Sequence, residues 1–406
     1  MANKTFKILI VGGGSGGISL AARLAHAGFK GQIGLLEPSE HHYYQPLWTL
    51  VGAGIVSKVS SERSEASVIP SGVEWIKDRV EEFRPDANQV QTAESGIIEY
   101  QVMIVATGLE LNFNKIEGVE GNLGKNGLIS VYQYDQLDSA AKTIREFKGG
   151  VAIFTMPPVP IKCAGAPQKV MYLADEVWRH SGVREKTRII FASAGAAIFG
   201  IKEFAVPLNE VVRRKGIETS FNRRLVAVRA AERVAVFEST IGDQSKPAGT
   251  REEVYYDLLH VVPPMSAHRF IRESPLASDE EGQKGWLSVD KYSLQHKKYP
   301  NVFGIGDVTG IPNSKTGAAI RKQAPIVAGN VTRFLKGEPM DPAYDGYSSC
   351  PLITGIGKVI LAEFGYDGKL LPSFPLDPTK ERRIYWILKK DLLPPMYWHG
   401  MLKGYL

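Results

Sequence analysis

Between the apolar run Lys7–Val11 and the helical stretch Ile18–Ala27 the chain reads Gly12-Gly-Gly14-Ser15-Gly16-Gly17. The run is apolar throughout, as expected for a parallel strand buried on both faces. Gly12 permits the tight turn that must follow such a strand, Gly14 lets backbone approach a pyrophosphate, and Gly17 lets the helix pack close to the strand. The helix N-terminus then offers unpaired N–H groups and a partial positive charge to phosphate oxygens. Gly28 closes the helix, and a second strand, Gln32–Glu37, ends in an acid twenty residues beyond Gly17. An acid at that point accepts ribose hydroxyls and favours a free 2′-OH over a 2′-phosphate. The segment is therefore expected to form a βαβ dinucleotide unit, with Gly12, Gly14, Ser15, Gly16, Gly17 and Glu37 at the cofactor. The motif by itself does not choose between FAD and NAD.

The rest of the chain extends this α/β pattern. Short β-like runs cover Val73–Phe83 and Gly96–Thr107, and a second α/β block starts with Gly150–Thr155. That block continues through a helix over Gln168–Arg179 and a strand over Thr187–Ala192. A strand-like stretch, Leu225–Val236, and the polar segment Gly242–Glu253 read as a hairpin with an exposed turn. The block closes near Val261–Met265, and a further buried strand, Asn301–Asp307, precedes a helix over Thr316–Lys336. With 406 residues, this predicts two tandem Rossmann-like domains of the FAD/NAD(P)-linked reductase type. The expected division is 1–115 with 290–340, then 116–289, then a C-terminal region 341–406.

No second glycine fingerprint opens the second domain. Its first strand runs into Thr155-Met-Pro-Pro-Val-Pro-Ile161 and the next into Ala192-Ser-Ala-Gly-Ala-Ala-Ile-Phe-Gly200. Prolines at the turn remove N–H donors that would cradle a pyrophosphate, which argues against NAD(P)H as electron donor.

Two cysteines cannot build a disulfide scaffold, a Cys-rich zinc site or an iron–sulfur cluster. Cys163 stands before a helix with Pro167 in its first turn, flanked by Lys162 and Lys169. Near a helix N-terminus and cations its thiol pKa should fall. Cys350 lies 187 residues later in Tyr347-Ser-Ser-Cys-Pro-Leu-Ile-Thr-Gly355, so the two form no CxxC pair. Both settings read as Gly/Pro-bounded loops. From the residues alone, each thiol is either an inert buried group or a redox group.

Resemblance narrows this. Ala106-Thr107-Gly108, after an apolar strand, and Gly304-Ile-Gly306-Asp307 resemble the paired signatures of two-dinucleotide-binding-domain flavoproteins. Asp307 would then bond the ribityl chain of FAD, and it also suits a helix N-cap. Four longer segments, Ile161–Lys169, His41–Gly54, Asn313–Thr316 and Tyr344–Gly355, resemble sulfide:quinone oxidoreductases of the mitochondrial-like type. The matches span essentially the whole chain, whereas bacterial enzymes with a third catalytic cysteine differ.

The resemblance implies that Cys163 and Cys350 form a disulfide or a sulfur-bridged pair beside an FAD flavin. Hydrogen sulfide would open the bridge to a persulfide and a thiolate, the latter taken as Cys350 facing flavin C4a. Electrons would pass to ubiquinone or another membrane quinone, and the sulfane sulfur to sulfite, glutathione, cyanide or further sulfide. Gln45, Val80, Thr107, Gly108, Asp307 and Lys315 match FAD-contacting positions, with Lys315 at the flavin pyrimidine end. Lys169 and Lys389 match lysines of the family's proton or quinone chemistry, a solvated surface position being the plainer expectation for Lys389 than for Lys169. His41 and His42 are expected to pack rather than to bind metal, since no acid or third histidine stands at ligand spacing. A type II NADH:quinone oxidoreductase and a flavin-binding protein without turnover are the alternatives.

The tail Arg382–Leu406 holds two of the six Trp, three Tyr, five Lys/Arg and one acid, so it carries +4 of a net +6. With a break at Pro394-Pro395, this mixture predicts two short amphipathic helices in a membrane interface, their aromatic rings at headgroup depth. Removing the tail is expected to cost quinone reduction more than FAD content. No apolar run of 18 residues predicts a transmembrane helix. The N-terminus leads directly into the first strand without a signal or transit pattern. A peripheral protein of a bacterial cytoplasmic or mitochondrial inner membrane is expected, and the mild overall charge gives no reason to invoke nucleic acid.

Overall fold

The computed structural model describes residues 4–242 and 247–406. Lys4–Val11 lies at the centre of a seven-stranded sheet, parallel to Ile33–Leu36 on one side and Ile97–Val105 on the other. Ile8, Leu9 and Ile10 are fully buried, as the unbroken apolar run requires. Val73–Ile76 extends the sheet beyond Ile33–Leu36. Val302–Gly304, far later in the chain, pairs in parallel with the end of Ile97–Val105. The register places Val11 beside Leu36 and Val105, and Val105 beside Gly304. The glycine loop, Glu37, Ala106-Thr107-Gly108 and Ile305–Asp307 therefore all leave the sheet at the same carboxyl edge, where open α/β sheets bind ligands.

A second, five-stranded parallel sheet runs in the order Leu128–Ile129, Leu258–His260, Gly150–Met156, Thr187–Ser193, Glu218–Ser220. Ala166–His180 covers it through fully buried Val170, Met171, Tyr172 and Trp178. Two helices not foreseen from the sequence, Leu137–Glu146 and Lys202–Lys215, join this block. The first had a legible signal, since Leu137, Ala140 and Ile144 share one buried face. The stretch read as one strand over 225–236 is itself a hairpin. Arg223–Arg229 and Val234–Ser239 turn at Arg233, whose φ is +56°, and Arg251–Tyr255 adds a third strand. The tip of the hairpin expected over Gly242–Glu253 lies outside the described residues. Val73–Phe83 likewise divides into Val73–Ile76 and Val80–Arg84.

Ser348–Gly355 pairs antiparallel with Lys358–Phe364, so Cys350 lies in a strand, opposite Ala362, and not in the loop expected from its flanking Gly and Pro. The tail also departs from expectation. From Arg383 to Met401 it stays helical through Pro394-Pro395, alternating α-helical and π-helical turns. The prolines fall in the first turn of Leu393–Met396, where a missing N–H is tolerated, and the wider turns on either side absorb the register. Tyr385, Tyr397, Trp398, Met401 and Leu402 are buried in the core of the first domain, so these rings do not reach outward. Among the described residues no helix is long and apolar enough to cross a membrane.

Candidate active site

The turn before Ala166–His180 and the strand Ser348–Gly355 bring the two cysteines together, with 3.7 Å between their sulfurs. Cys163 has φ +51°, a left-handed conformation unusual for a residue with a Cβ and one that marks strained functional turns. Its N–H donates to the Lys315 carbonyl at 2.8 Å, and its carbonyl accepts the Ala166 N–H at 2.7 Å. Gly165 is needed here, because a Cβ would meet Cys350 Sγ at 2.5 Å and Leu352 Cδ2 at 2.4 Å.

Lys169 is almost fully buried and its ammonium stands 3.3 Å from Cys163 Sγ. The Cys163 thiol is held well below the usual thiol range, first by a hydrogen bond from Cys350 and then by the charge of Lys169, against the opposing effect of burial. Cys350 is pushed up by the same hydrogen bond and by burial. Burial alone would lower Lys169, but the sulfur charges outweigh it and raise its pKa. These shifts place the negative charge preferentially on Cys163, with the protons favouring Cys350 and Lys169. Tyr132, whose hydroxyl pKa is raised by burial and then by Cys163, faces the pair and had no local sequence signal.

Lys162, expected beside Cys163 as its flanking cation, turns away. Its ammonium donates to Gln45 Oε1 at 2.6 Å and lies over the rings of Trp48 and Tyr132 at 5.3 and 5.7 Å. Of the two flanking lysines only Lys169 contacts the thiol, because side chains at a left-handed turn point in different directions; the charge of Cys163 still acts on Lys162, opposing the fall that burial causes. Lys389 also departs from expectation: it is 2% exposed, not solvated, and donates to the Pro46 carbonyl at 2.8 Å. Burial, with the charge of Lys169 second, lowers its pKa to about 7. The aliphatic stem is packed because the tail helix docks onto the first domain, with Lys389 on its inward side.

At the first sheet's carboxyl edge the residues suit a dinucleotide. Gly12 has φ +106° and would drive a Cβ into the Ala106 carbonyl at 2.6 Å, while the Cβ position of Gly14 opens into free space. Gly16 and Gly17 are buried in the first turn of Ser15–Leu24. Glu37 accepts the N–H groups of Gly13 at 2.6 Å and Ser39 at 2.7 Å, and burial raises its pKa. Thr107 Oγ1 and Trp48 Nε1 are buried without a protein partner, which fits a bound group that supplies one. Val80 is buried at the start of Val80–Arg84, and the Cβ site of Gly108 is open. Asp307 is raised by burial despite Lys315 and Lys162. Lys315 is buried, donates to the carbonyls of Asp307 and Thr309 at 2.7 and 3.0 Å, lies 3.9 Å from the Trp286 ring centroid, and is lowered by burial to about 8.

His42 is buried with Glu65 and Tyr397 as partners. His41 packs only on one side, stacked on Tyr43; it is otherwise exposed and pairs with Glu62 at 2.6 Å. Among the described residues no group of three potential metal ligands occurs.

The family described as pyridine nucleotide-disulphide oxidoreductase matches residues 6–149. The mitochondrial sulfide:quinone oxidoreductase of Dictyostelium discoideum is 46% identical over 98% of this chain and 86% of its own length. That of Mus musculus is 44% identical over 100% of this chain and 88% of its own. The crystal structure of the sulfide:quinone oxidoreductase from Aquifex aeolicus superposes with a TM-score of 0.81 at 22% identity, covering 99% of this chain and 92% of that one, which shows a common fold. On the strength of the full-length identities, the chain belongs to the sulfide:quinone oxidoreductases, flavin-dependent oxidoreductases.

Proposed function

We propose that Cys163 and Cys350 are the redox pair at which this enzyme takes up sulfide, that its flavin is FAD, and that a membrane quinone receives the electrons. The observation that carries the reading is the sulfur pair 3.7 Å apart with the Lys169 ammonium 3.3 Å from one of them. One S–S bond of about 2.05 Å is shorter than this gap, whereas two in series can span it, so one bridging sulfur suits the site as well as a direct bond does after a small closure.

In the oxidised pair HS⁻ attacks one sulfur. The S–S bond breaks, one cysteine becomes a persulfide and the other leaves as a thiolate; the resemblance implied Cys350 for that thiolate, but the lowered Cys163 sulfur is the better leaving group and is assigned the role here. A nucleophile such as sulfite, glutathione, cyanide or sulfide then takes the outer sulfur, leaving a second cysteine thiolate. Lys169 stabilises the sulfur anion at Cys163 while the bridge is open. Re-forming the bridge from the two thiolates releases two electrons. A flavin bound at this site supplies two-electron acceptance and onward delivery to quinone.

Gly12, Gly14, Ser15, Gly16, Gly17, Glu37, Gln45, Val80, Thr107, Gly108, Asp307 and Lys315 would hold the FAD, and Lys389 would serve the quinone side as a proton donor near neutrality. In this reading residues 1–115 and 290–340 form the FAD domain, 116–289 the second domain, and 341–406 the quinone and membrane region of a peripheral membrane protein. The exposed Ile384, Ile387, Leu392 and Met396 of the tail helix support that placement.

Rapid-mixing absorbance tests the assignment. Sulfide, and not NADH, should bleach the flavin, and Cys163→Ala or Cys350→Ala should abolish bleaching while flavin content stays. Bleaching by NADH alone would favour the NADH:quinone alternative, and sulfide bleaching that survives both variants would remove the cysteines from the reaction. Intact mass before and after reductant reads out any bridging sulfur.

A further inference from the structure

A buried hydrogen-bonded chain ties the C-terminal helix to the glycine loop. The Tyr397 hydroxyl lies 2.7 Å from Ser15 Oγ and 2.6 Å from His42 Nε2, and His42 Nδ1 lies 3.1 Å from Glu65 Oε2. Tyr397, His42 and Glu65 are 5%, 3% and 1% exposed. Glu65 in turn abuts the loop, since a Cβ on Gly13 would meet its Oε1 at 2.5 Å. The aromatic surroundings fix the geometry: Tyr397 packs on Tyr44 with ring centroids 4.4 Å apart, and Trp398 meets His42 edge-on at 5.9 Å. The following residues clasp the glycine-loop helix itself, with Tyr405 stacked on His26 at 5.2 Å. Gly404 lies so close to Ala22 and Arg23 that a Cβ would sit 3.0 Å from the Arg23 N–H nitrogen.

We infer that Tyr397 is a positioning residue for the dinucleotide and that cofactor retention and docking of the C-terminal helix are thermodynamically coupled. This rests on reading Gly12–Gly17 as the FAD loop. Ser15 stands at the first helical position, where its hydroxyl and N–H border the phosphate region. Left alone, that hydroxyl would rotate freely. The Tyr397 hydroxyl, itself anchored by the His42–Glu65 pair, holds it in one orientation and ties the loop to the tail. By linkage, whatever FAD gains from an ordered loop the tail gains from bound FAD. The tail is then part of the cofactor site as well as a membrane contact.

The test uses the holoenzyme as purified, and its flavin content is read first; a protein without flavin would overturn the FAD reading itself. Flavin release on dilution is followed by free-flavin fluorescence in the parent, Tyr397→Phe, Ser15→Ala and the double variant. Tyr397→Phe keeps the ring packing and should release flavin roughly three- to tenfold faster, the effect of one hydrogen bond. Because the hydroxyl acts through Ser15, the double variant should be no faster than Ser15→Ala alone. Equal release from parent and Tyr397→Phe, or simple additivity in the double variant, would overturn the inference. A second measurement needs no variant: trypsin should cut after Lys390 and Lys403 faster once flavin is stripped, and equal protection with and without flavin would also overturn it.

Discussion

Lys169 reaches back six residues to place its ammonium 3.3 Å from Cys163 Sγ, from within the first turn of the helix that Cys163 precedes. The pairing favours Cys163 as the anion: Lys169 acts on both sulfurs, but the hydrogen bond between them lowers Cys163 and, together with burial, raises Cys350. Lys169→Met should therefore raise the Cys163 pKa and shift the alkylation profile of the reduced protein to higher pH. At pH 7 the alkylation rate should fall about tenfold or more. Lys169→Arg, which keeps the charge, should lose much less. An unshifted profile in Lys169→Met would show that the cation does not control the thiol.

Gly165 tests the geometry of the pair without touching either sulfur. In Gly165→Ala the new methyl would overlap Cys350 Sγ and Leu352 Cδ2, so the strand carrying Cys350 must retreat from Cys163. Overpacking of this kind costs about 1–3 kcal/mol. Sulfide-dependent flavin bleaching should fall by at least tenfold, while bound flavin stays near parent levels because the substitution lies away from the glycine loop. Full activity would mean that the spacing of the sulfurs is not critical.

How much of this was legible follows from where each signal lies in the chain. The glycine loop and Glu37 are read from a short local pattern, because a βαβ unit encodes its turn, helix and acid within some thirty residues, whereas Asp307 was read only through the resemblance. The left-handed φ of Cys163 and its partnership with Lys169 were half legible: the cation was visible, but its neighbour Lys162 turned out to face Gln45. Tyr132 beside the sulfurs, and Tyr397 against Ser15, carry no local signature at all. The second contact spans 382 residues, and only the docking of the tail creates it. Cys350 was misread as a loop residue because Pro351 and Gly355 flag turns, yet in this two-stranded hairpin a proline is tolerated.

Lys389 gives a pH signature with a defined sign. Its pKa falls from 10.5 in the free side chain to about 7 on burial, so between those values the unfolded chain holds a proton that the folded chain has released. Stability from this group therefore rises with pH across that window, by up to about 1.4 kcal/mol per pH unit. Lys389→Met removes the titrating group. The variant's stability advantage over the parent, measured by denaturant unfolding, should be largest near pH 7 and shrink towards pH 9. A difference that is constant from pH 6 to 9 would place the Lys389 pKa outside this range.

The tail separates two roles that the sequence merged. Its rings Tyr385, Tyr397 and Trp398 face the protein, while Ile384, Ile387, Leu392 and Met396 face outward, with Ile384 53% exposed. In the proposed reading, membrane contact would rest on the aliphatic face and cofactor retention on the aromatic one. Ile384→Glu/Ile387→Glu should weaken cosedimentation with anionic vesicles by tenfold or more, since each side chain forfeits about 1.5–3 kcal/mol of burial. Flavin content should stay unchanged. Deleting residues 382–406 should instead lose vesicle binding and flavin together, which revises the expectation that quinone reduction would fall more than FAD content. A truncated protein that keeps its full flavin complement would show that the inward face contributes packing alone.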